Sequence, residues 1–310
     1  MKRETIKLDG HHPLTLDVEH LSREEDLGLF EDRVWPFKQE DVTIMKPSID
    51  LVMGLDPAKI TGVNAEEAAR RVRSMNSGHT EWYGGTHAEM LKRRLGWRQG
   101  VDKMLAMIEK IVPEYGYAKR PRPTFAGAGY QVSVDRAIDG HDKPWMARRR
   151  RWGPRSLTIS VTYGENCDTS SEALYMRGAA TVAAIDTLED MGYRIELYAV
   201  NCNQGLFYGQ SNHLTLVEVE VKRSQDPVDL DYLASTMCSP LFFRGNCFTL
   251  WTVIPKRAVG NLGSMRDVPE AYQKTVHVSE LPNSESEARE LYQEIVDKAI
   301  KSQETLDIEA

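Results

Sequence analysis

The amino-acid sequence predicts an α/β protein, with a sheet flanked by helices, a helical N-terminal region and a C-terminal helix. The main observation is the stretch Ser156–Asn201, which contains two segments that alternate apolar and polar residues, as strands do. Between them, the capping-box spacing of Thr169 and Glu172 opens an alanine-rich helix near Ser170, and Gly192 stands where a left-handed residue would end it. The order strand, polar loop, helix and strand is the unit from which α/β sheets are built.

Changes in composition divide the chain into four predicted regions. They are a mostly helical or irregular N-terminal region (1–112), a basic connector rich in proline and glycine (113–155), an α/β sheet domain (156–260) and a C-terminal extension with a helix (261–310). A chain of 310 residues has room for one large domain or two medium ones.

The N-terminal region is predicted to begin irregularly and then to become helical. Prolines interrupt the first sixty residues, which leaves room for short helices at Ser22–Asp32 and Pro47–Met53. Thr86 and Glu89 have the spacing of a capping box, which predicts a helix start. An apolar stripe predicts a further helix over Arg98–Val112.

Further elements are predicted after the second strand. Alternating valines predict a strand over Leu214–Lys222, and the nearly continuous apolar run Cys247–Ile254 predicts a buried strand. Pro227, close before Asp229, resembles the proline that often occupies the first position of a helix. A last apolar stripe predicts a helix over Ser284–Ser302.

The bulk composition is that of an ordinary globular protein. Hydrophobic residues make up 41% of the chain and charged residues 27%. No apolar run approaches the roughly 18 residues that a membrane helix needs, so no membrane partner is expected. The first residues, MKRETIKLDGHH, lack the apolar core of a signal peptide, which indicates a protein that is not secreted. The four cysteines fit a reducing compartment, and the predicted location is the cytoplasm.

Charge is distributed unevenly along the chain. The net charge of −7 argues against a uniformly basic coat for nucleic acid, yet residues 119–155 hold ten lysines and arginines and only three aspartates. The segment from Ser279 to the C terminus holds nine acidic and three basic residues. Two interpretations fit this asymmetry, namely a patch that binds polyanions and a contact between the two segments within the protein.

The densest positive charge is a run of four arginines between two tryptophans. Arginine pairs bidentately with phosphate and tryptophan offers a stacking face, a combination suited to single-stranded nucleic acid or a phosphorylated ligand. An ion-pair cluster with the acidic terminal segments is the other interpretation. The candidate residues for binding nucleic acid or another anion are Trp145, Arg148, Arg149, Arg150, Arg151, Trp152 and Arg155.

Polar residues follow the two predicted strands of the α/β unit. Ligands of open α/β sheets gather outside the carboxyl ends of the strands. Carboxylate and amide oxygens at that edge would suit a hard cation or a polar ligand. A loop after a strand is, however, normally polar whether or not it binds anything. The candidate residues of this ligand loop are Thr162, Glu165, Asn166, Asp168, Asn201 and Asn203.

The usual catalytic and cofactor signatures do not occur in the sequence. It contains no C-x-x-C, H-E-x-x-H, G-x-S-x-G or G-x-x-x-x-G-K-[ST] motif. Cys167 and Cys202 each follow a strand end, and their two interpretations are a zinc site and two ordinary buried thiols. His79 and His87 flank E-W-Y-G-G, whose two interpretations are a ligand-binding cluster and a packing corner between helices, and we favour the corner. We therefore assign no catalytic residue, no metal ligand and no cofactor.

Three stretches resemble an uncharacterised family encoded by tailed bacteriophages. They are the W-Y-G-G-T…G-W-R-Q-G spacing (Trp82–Gly100), AGAGYQVSVDRAIDGHDKPWM (Ala126–Met146) and RGAATVAAIDTLEDMGYRIEL (Arg177–Leu197). The resemblance implies a setting in an infected host cell or in a virion, and it brings no established activity with it.

A second resemblance is to von Willebrand A-type domains, which share the order strand, polar loop, helix and strand. Their metal-binding motif is D-x-S-x-S at the end of the first strand. Thr162, Gly164 and Asn166 stand at those positions here. The resemblance therefore implies the fold of these domains, or a related sheet, without their metal motif.

The leading hypothesis is a non-enzymatic, phage-encoded binding protein. It would contact nucleic acid, single-stranded in preference, or an acidic phage or host protein through the arginine and tryptophan segment. The second hypothesis is a metal-dependent enzyme in which Glu165 and Asp168 hold a divalent cation. The third is a virion structural or assembly protein that forms homo-oligomers.

Overall fold

The computed structural model describes residues 2–6, 14–23, 40–60, 65–112, 124–126, 131–142, 144–147, 155–163, 165, 168–204, 213–253 and 265–309. The strands are β1 (Lys2–Ile6), β2 (Leu14–Arg23), β3 (Glu40–Lys46), β4 (Thr124–Ala126), β5 (Gln131–Val132), β6 (Trp145–Ala147), β7 (Arg155–Thr162), β8 (Tyr193–Gln204), β9 (His213–Lys222), β10 (Met265–Arg266) and β11 (Val276–Val278).

The helices of the described residues are mostly short, with two long exceptions. They are α1 (Ile49–Gly54), α2 (Ala65–Met75), α3 (Thr80–Tyr83), α4 (His87–Lys92), α5 (Arg98–Ile111), α6 (Val134–Ile138), α7 (Ser171–Asp190), α8 (Leu230–Met237), α9 (Phe248–Val253) and α10 (Glu285–Glu309). Short 3-10 turns cover Pro57–Lys59, Arg93–Leu95 and Glu270–Tyr272, and a π-helix covers Phe242–Cys247.

The strands form two sheets. The main sheet has eight strands in the order β1-β2-β3-β9-β8-β7-β11, with β10 paired to β8. In its centre, β7 is parallel to both β8 and β11, while β9 is antiparallel to β8 and parallel to β3. A second sheet of three strands has the order β4-β6-β5. A mixed sheet with packed helices confirms the predicted α/β class.

Most helices pack on the face of the main sheet that carries Ile159, Leu197 and Val219. Helix α7 connects β7 to β8, is buried along most of its length, and contacts α5, α8 and α10. Its small residues permit this close packing. At Gly178, a Cβ atom would lie 2.2 Å from the carbonyl oxygen of Met237 at the end of α8. The composition of α7 therefore reflects contacts with neighbouring helices as well as with the sheet.

Several predicted elements lie where the sequence indicates. Helix α5 begins at Arg98, as predicted. Thr86 and Glu89 form a complete capping box at the start of α4. Gly192 has a φ of 99°, which is the left-handed conformation expected after α7.

Two helix starts differ from the prediction. Helix α7 is capped by Ser170, whose hydroxyl accepts a hydrogen bond from the Ala173 N–H, and not by Thr169. Ser170 has the extended backbone that an N-cap needs, and serine is at least as good a capping residue as threonine. Helix α8 begins at Leu230 with Asp229 as its N-cap, so Pro227 lies before the helix and not in its first position.

The predicted strand Cys247–Ile254 is wrong. Cys247 ends the π-helix, and Phe248–Val253 forms α9, while residue 254 lies outside the described residues. Phe242, Cys247 and Trp251 are almost completely buried. A segment that is buried on all sides loses the periodicity that separates helix from strand, and this explains the error.

The N-terminal region is less irregular than predicted. It supplies β1, β2 and β3, and β3 pairs with β9, so the main sheet draws strands from three of the four predicted regions. Helix α1 confirms a short helix within Pro47–Met53. The other short helix is predicted over Ser22–Asp32. Ser22 and Arg23 instead end β2, and residues 24–32 lie outside the described residues.

The basic connector also contains more regular structure than predicted. Its described residues form the small sheet of β4, β5 and β6 together with α6. Short strands of two or three residues are below the length at which alternation can be recognised. Among all the described residues, no helix combines the length and the apolar character needed to cross a bilayer.

Candidate functional site

The carboxyl ends of β7 and β8 lie at the same edge of the main sheet, because the two strands are parallel neighbours. The structure describes five of the six predicted ligand-loop residues: Thr162, Asn201 and Asn203 lie at the ends of these two strands, and Glu165 and Asp168 follow β7. Asn166 lies outside the described residues. Asp168 is exposed, whereas Thr162, Asn201 and Asn203 are buried and Glu165 is partly buried. The predicted residues therefore share one edge but not one environment.

Glu165 is held in an ion pair with Arg177 of α7. The Arg177 guanidinium donates a hydrogen bond to Oε1 of Glu165, and only 4% of the Arg177 side chain is exposed. Burial is the main influence on the Glu165 carboxyl and raises its pKa, while the attraction of Arg177 opposes this and the nearby Asp267 adds to it. A cation therefore already occupies the position beside Glu165, and it belongs to the protein.

Asn201 and Asn203 bond to each other. The side-chain amide of Asn203 donates to Oδ1 of Asn201. Both residues follow Leu197 and Ala199 at intervals of two, so they point to the face that the helices cover. Thr215, opposite Asn203 on β9, is also buried, and its hydroxyl has no hydrogen-bond partner among the described residues. These groups form an internal polar layer beneath the helices, away from the surface.

The other face of the sheet carries a histidine that sequence reasoning missed. Nδ1 of His277 on β11 lies 2.8 Å from the Ser160 hydroxyl, and its Nε2 lies 3.3 Å from the Thr162 hydroxyl. Burial is the main cause that lowers the pKa of His277. Ser160 is fully buried, so this pair cannot present an attacking hydroxyl to a substrate. The arrangement joins the short strand β11 to β7.

A buried glutamate on the same face pairs with two lysines. The Glu218 carboxylate lies 2.9 Å from Nζ of Lys274 and 3.7 Å from Nζ of Lys46, and only 3% of its side chain is exposed. Lys274 also lies 5.1 Å from the ring centre of Tyr198. Burial, followed by repulsion from Glu220, raises the pKa of Tyr198 to about 12. The only sequence signal for this group is the alternation of valine and glutamate in β9, a pattern typical of a strand with one solvated face, and it gives no sign that Glu218 is buried.

The segment of arginines and tryptophans is described only at its ends. Trp145 lies in β6, opposite Ala126 of β4 and Val132 of β5, and is partly buried. Arg155 begins β7, but its side chain is not among those described. Arg148, Arg149, Arg150, Arg151 and Trp152 lie outside the described residues.

The E-W-Y-G-G segment is a packing corner, as predicted. Nε2 of His87 lies 2.9 Å from Oδ1 of Asp56. Burial would raise the pKa of Asp56, but the hydrogen bonds from His87 and from the Ala58 N–H outweigh it, so the pKa is lowered. The buried Arg244 donates to the backbone oxygens of Trp82 and Thr169, at 2.6 Å each. These contacts join the corner to the start of α7.

Metal-ligating residues are not clustered in the part of the chain that the structure describes. No group of three or more His, Cys, Asp or Glu side chains there is placed to hold a metal ion. Cys202, Cys238 and Cys247 are buried and form no disulfide within the described residues, and burial raises the pKa of both Cys238 and Cys247. Cys167, the other half of the suggested zinc pair, lies outside the described residues.

Comparison with known proteins identifies the family. Residues 56–305 match the model of a domain of unknown function, DUF7192, and because this is more than half of the chain, the protein belongs to that family. No curated protein and no solved structure matches the chain. The matched region begins just after the end of α1, so β1, β2, β3 and α1 all precede it.

Proposed function

We propose that the chain is a non-enzymatic binding protein that contacts nucleic acid, single-stranded in preference, through the segment 145–155. The observation that supports this proposal is the place of the segment in the chain: it connects β6 of the small sheet to β7 in the main sheet. Both of its ends are held by strands. The four arginines are consecutive in the sequence, so their charges stay close together whatever conformation the segment adopts.

The internal pairing of the strand-end residues supports binding over catalysis. A general acid or base needs a lone pair or proton within reach of the substrate, and a metal ligand needs an uncommitted oxygen. Glu165 instead contacts Arg177, and Asn201 contacts Asn203. A metal-dependent enzyme at this edge therefore has less support than a binding protein.

The acidic C-terminal segment supports an external partner for the arginines. Glu285 pairs with Lys110, Glu294 pairs with Lys298, and Glu287 accepts a hydrogen bond from the backbone of Asn283. These three carboxylates already have partners within the described residues. Fewer acidic groups of that segment are then available to neutralise the arginines of 148–151 from within.

Fluorescence anisotropy with a labelled single strand and a duplex of the same sequence tests the proposal. We expect binding that weakens steeply with salt, with a log–log slope of about −0.7 per phosphate contact on the single strand and about −0.9 on the duplex. Stacking on Trp145 and Trp152 is expected to make the single strand the tighter ligand. Replacing Arg148, Arg149, Arg150 and Arg151 together with alanine should lower both the affinity and the slope.

A matched control removes the same charge from elsewhere on the surface. Lys59, Arg70, Arg73 and Arg194 are all exposed and can be changed together to alanine. If this control loses as much affinity as the arginine variant, binding is a general effect of charge and the segment is not the site. If no nucleic acid binds at low salt, the proposal is wrong, and an acidic protein becomes the partner to test.

We further propose, from the resemblance to bacteriophage proteins, that the chain acts in an infected cell or in a virion. The order β7, α7, β8 supports the likeness to von Willebrand A-type domains. Thr162 stands where those domains have the aspartate of their metal motif, and Arg177 neutralises Glu165 close by. These two features support a version of the fold that works without a metal.

A further inference from the structure

We propose that this protein associates with a second copy of itself, through a leucine-bearing corner on one copy and an acidic pocket on the other. The inference does not depend on the proposed contact with nucleic acid, because it uses no residue of 145–155. It rests on two surfaces that border the first turn of α8, one basic with an exposed leucine and the other acidic with an apolar lining.

The first surface is the corner between α4 and α5, residues 92–98, here called the Leu95 corner. Leu95 is 96% exposed, the largest exposure among the described large hydrophobic residues. Lys92 and Arg98 flank it and are exposed as well. The Arg98 guanidinium lies 3.8 Å from the Asp231 carboxylate, and 77% of the Arg98 side chain is exposed. The corner therefore presents one apolar side chain between two cations.

A single exposed leucine is common on protein surfaces and by itself indicates nothing. The Leu95 corner differs because the rest of it is firmly held. Gly96 has a φ of 112°, and a Cβ atom there would lie 2.9 Å from the Asp231 side chain. The Trp97 N–H donates to the Asp231 carbonyl oxygen at 3.0 Å. Arg93 lies over the Trp97 ring at 4.0 Å and donates to Ser239 Oγ at 2.6 Å.

These contacts fix the backbone on both sides of Leu95 against α8. A side chain that is presented by an ordered backbone loses little conformational entropy when it enters a partner. A left-handed glycine, a tryptophan under a guanidinium and a partly buried arginine thus hold the backbone around a leucine that is exposed to solvent. This combination is what distinguishes a docking element from a leucine that is exposed by chance.

The second surface is a cavity of about 420 Å³ between α1, the end of β9 and α8, here called the α8 pocket. Its volume falls in the range of sites that enclose a ligand side chain or a small molecule. Its apolar lining residues are Ile49, Val221, Pro227, Tyr232 and Leu233.

The polar lining of the α8 pocket is acidic. Its carboxylates belong to Asp50, Glu220, Asp226 and Asp229. Its two cations are matched within the protein, because Lys222 lies 2.6 Å from Glu189 and Arg223 lies 3.3 Å from Glu220. Negative charge therefore remains in excess at the pocket.

The phenol of Tyr232 reports the same excess of negative charge. Burial raises the pKa of Tyr232, and repulsion from Asp50 and Asp229 raises it further. A partner that brings cations to this rim and an apolar group to the interior would relieve the repulsion. Lys92, Leu95 and Arg98 provide that combination.

The location of the two surfaces favours a second copy over an unrelated acidic protein. The Leu95 corner contacts Asp231, and the α8 pocket includes Asp229 and Tyr232, so both border the same turn of one helix. Two complementary patches on the same chain allow a closed pair about a two-fold axis, in which each copy inserts its corner into the other's pocket. Both halves of the contact are then used, and no open chain of copies results.

Sedimentation equilibrium of the full chain over a range of protein and salt concentrations tests the proposal. We expect a monomer–dimer equilibrium that salt weakens, because charged groups at the rim contribute to it. Leu95→Asp should raise the dissociation constant by about tenfold or more, since the variant loses a buried leucine and brings a carboxylate to an acidic rim. Ile138→Asp is the matched control, because Ile138 is also exposed, at 78%, but lies on α6. It should leave the dissociation constant unchanged.

Mixing two variants tests the pocket separately. Asp50→Lys reverses a charge at the α8 pocket and leaves the corner intact, while Leu95→Asp leaves the pocket intact. The mixture is expected to dimerise at concentrations at which each variant alone is monomeric, because one intact corner can still meet one intact pocket. Unchanged thermal midpoints for each variant establish that both remain folded.

Three outcomes would overturn the proposal. The first is a wild-type chain that stays monomeric at every concentration, whether or not it binds another protein. The second is a dimer that Leu95→Asp leaves unaffected, and the third is a mixture that dimerises no better than its components. Binding of nucleic acid is measured independently by anisotropy, so the failure of either proposal is distinguishable from the failure of the other.

Discussion

At the scale of single residues, the ion pair of Arg177 and Glu165 determines what the carboxyl edge of the main sheet can do. The sequence indicates Glu165 as a ligand residue because it follows a strand. It gives no sign of Arg177, which lies in an alanine-rich helix and is 3% exposed. A buried charge is stable only when it is paired, and each residue of this pair is what makes the burial of the other tolerable.

Removing one member of the pair should therefore cost more than removing both. Arg177→Met leaves the Glu165 carboxylate without its cation and should lower the free energy of unfolding by about 3–5 kcal/mol. The double variant Arg177→Met with Glu165→Leu should lose less, since neither charge remains. Urea denaturation of the three proteins measures the difference.

Arg70→Met is the matched control for this experiment, because Arg70 is exposed on α2 and its loss should change stability by no more than about 0.5 kcal/mol. If Arg177→Met were as mild as Arg70→Met, the Glu165 carboxylate would have to be hydrated without its partner. That result would contradict the internal pairing and would favour the metal-binding alternative.

At the scale of elements, β11 shows how a three-residue strand is kept at the end of the main sheet. Its only strand partner among the described residues is β7, and His277 adds contacts to two β7 hydroxyls, those of Ser160 and Thr162. A neutral imidazole donates from one nitrogen and accepts at the other, which suits two hydroxyl partners that can do either. The histidine therefore acts as a clamp between β11 and the centre of the sheet.

This clamp should weaken in acid. Burial lowers the pKa of His277, supported by Lys298 and Arg177 and opposed by Glu280 and Asp267. Below the ordinary histidine pKa of about 6.5, the unfolded chain binds a proton that the folded chain resists, so folding stability falls as the pH decreases. Above that pH this contribution to stability is fully present.

The measurement is the free energy of unfolding between pH 8 and pH 5 for the wild type and for His277→Gln, which keeps a side chain able to form hydrogen bonds. We expect the wild type to be the more stable at pH 8 and the difference to narrow as the pH falls below about 6.5. Parallel curves over the whole range would show that His277 does not titrate differently in the folded protein.

The elements also show which parts of the fold the sequence can predict. Helix α5 and strand β7 carry the periodicity of their class, and Gly192 marks the stop after α7, so all three could be predicted. Residues 247–254 could not, because burial on all sides removes the periodicity on which the choice between helix and strand depends. Strand β11 is too short for its alternation to be recognised, and His277 was missed with it.

The sequence predicts where the residues of the candidate site lie, but not which groups their side chains contact. Parallel neighbouring strands had to bring Glu165, Asn201 and Asn203 to one edge, and the structure bears this out. Whether such residues face a ligand or each other depends on side chains of other elements, such as Arg177, which follows Glu165 by 12 residues and lies in α7. That information resides in the packing of α7 against the sheet, which no local pattern contains.

At the scale of the whole molecule, the main sheet extends beyond the family domain. The matched region begins at residue 56, yet β3 pairs with β9 and Met45 is completely buried in the main hydrophobic core. Strands β2 and β1 continue the sheet outward from β3. The N-terminal strands therefore complete the core of the family domain and are not an appendage attached to it.

If β3 is part of the core of the family domain, a core substitution in β3 should destabilise the entire protein. Met45→Ala should lower the free energy of unfolding by about 2–5 kcal/mol, as a large-to-small change in a core does, and should shift the same thermal transition as Leu197→Ala in β8. Lys46→Ala is the control, because 40% of the Lys46 side chain is exposed and its distance to Glu218 is 3.7 Å, so only a small effect is expected. Differential scanning calorimetry distinguishes the alternatives. If both variants shift one common transition, β3 is an integral part of the core. If Met45→Ala instead produces a separate transition at lower temperature and does not change the transition that Leu197→Ala shifts, the N-terminal strands fold independently.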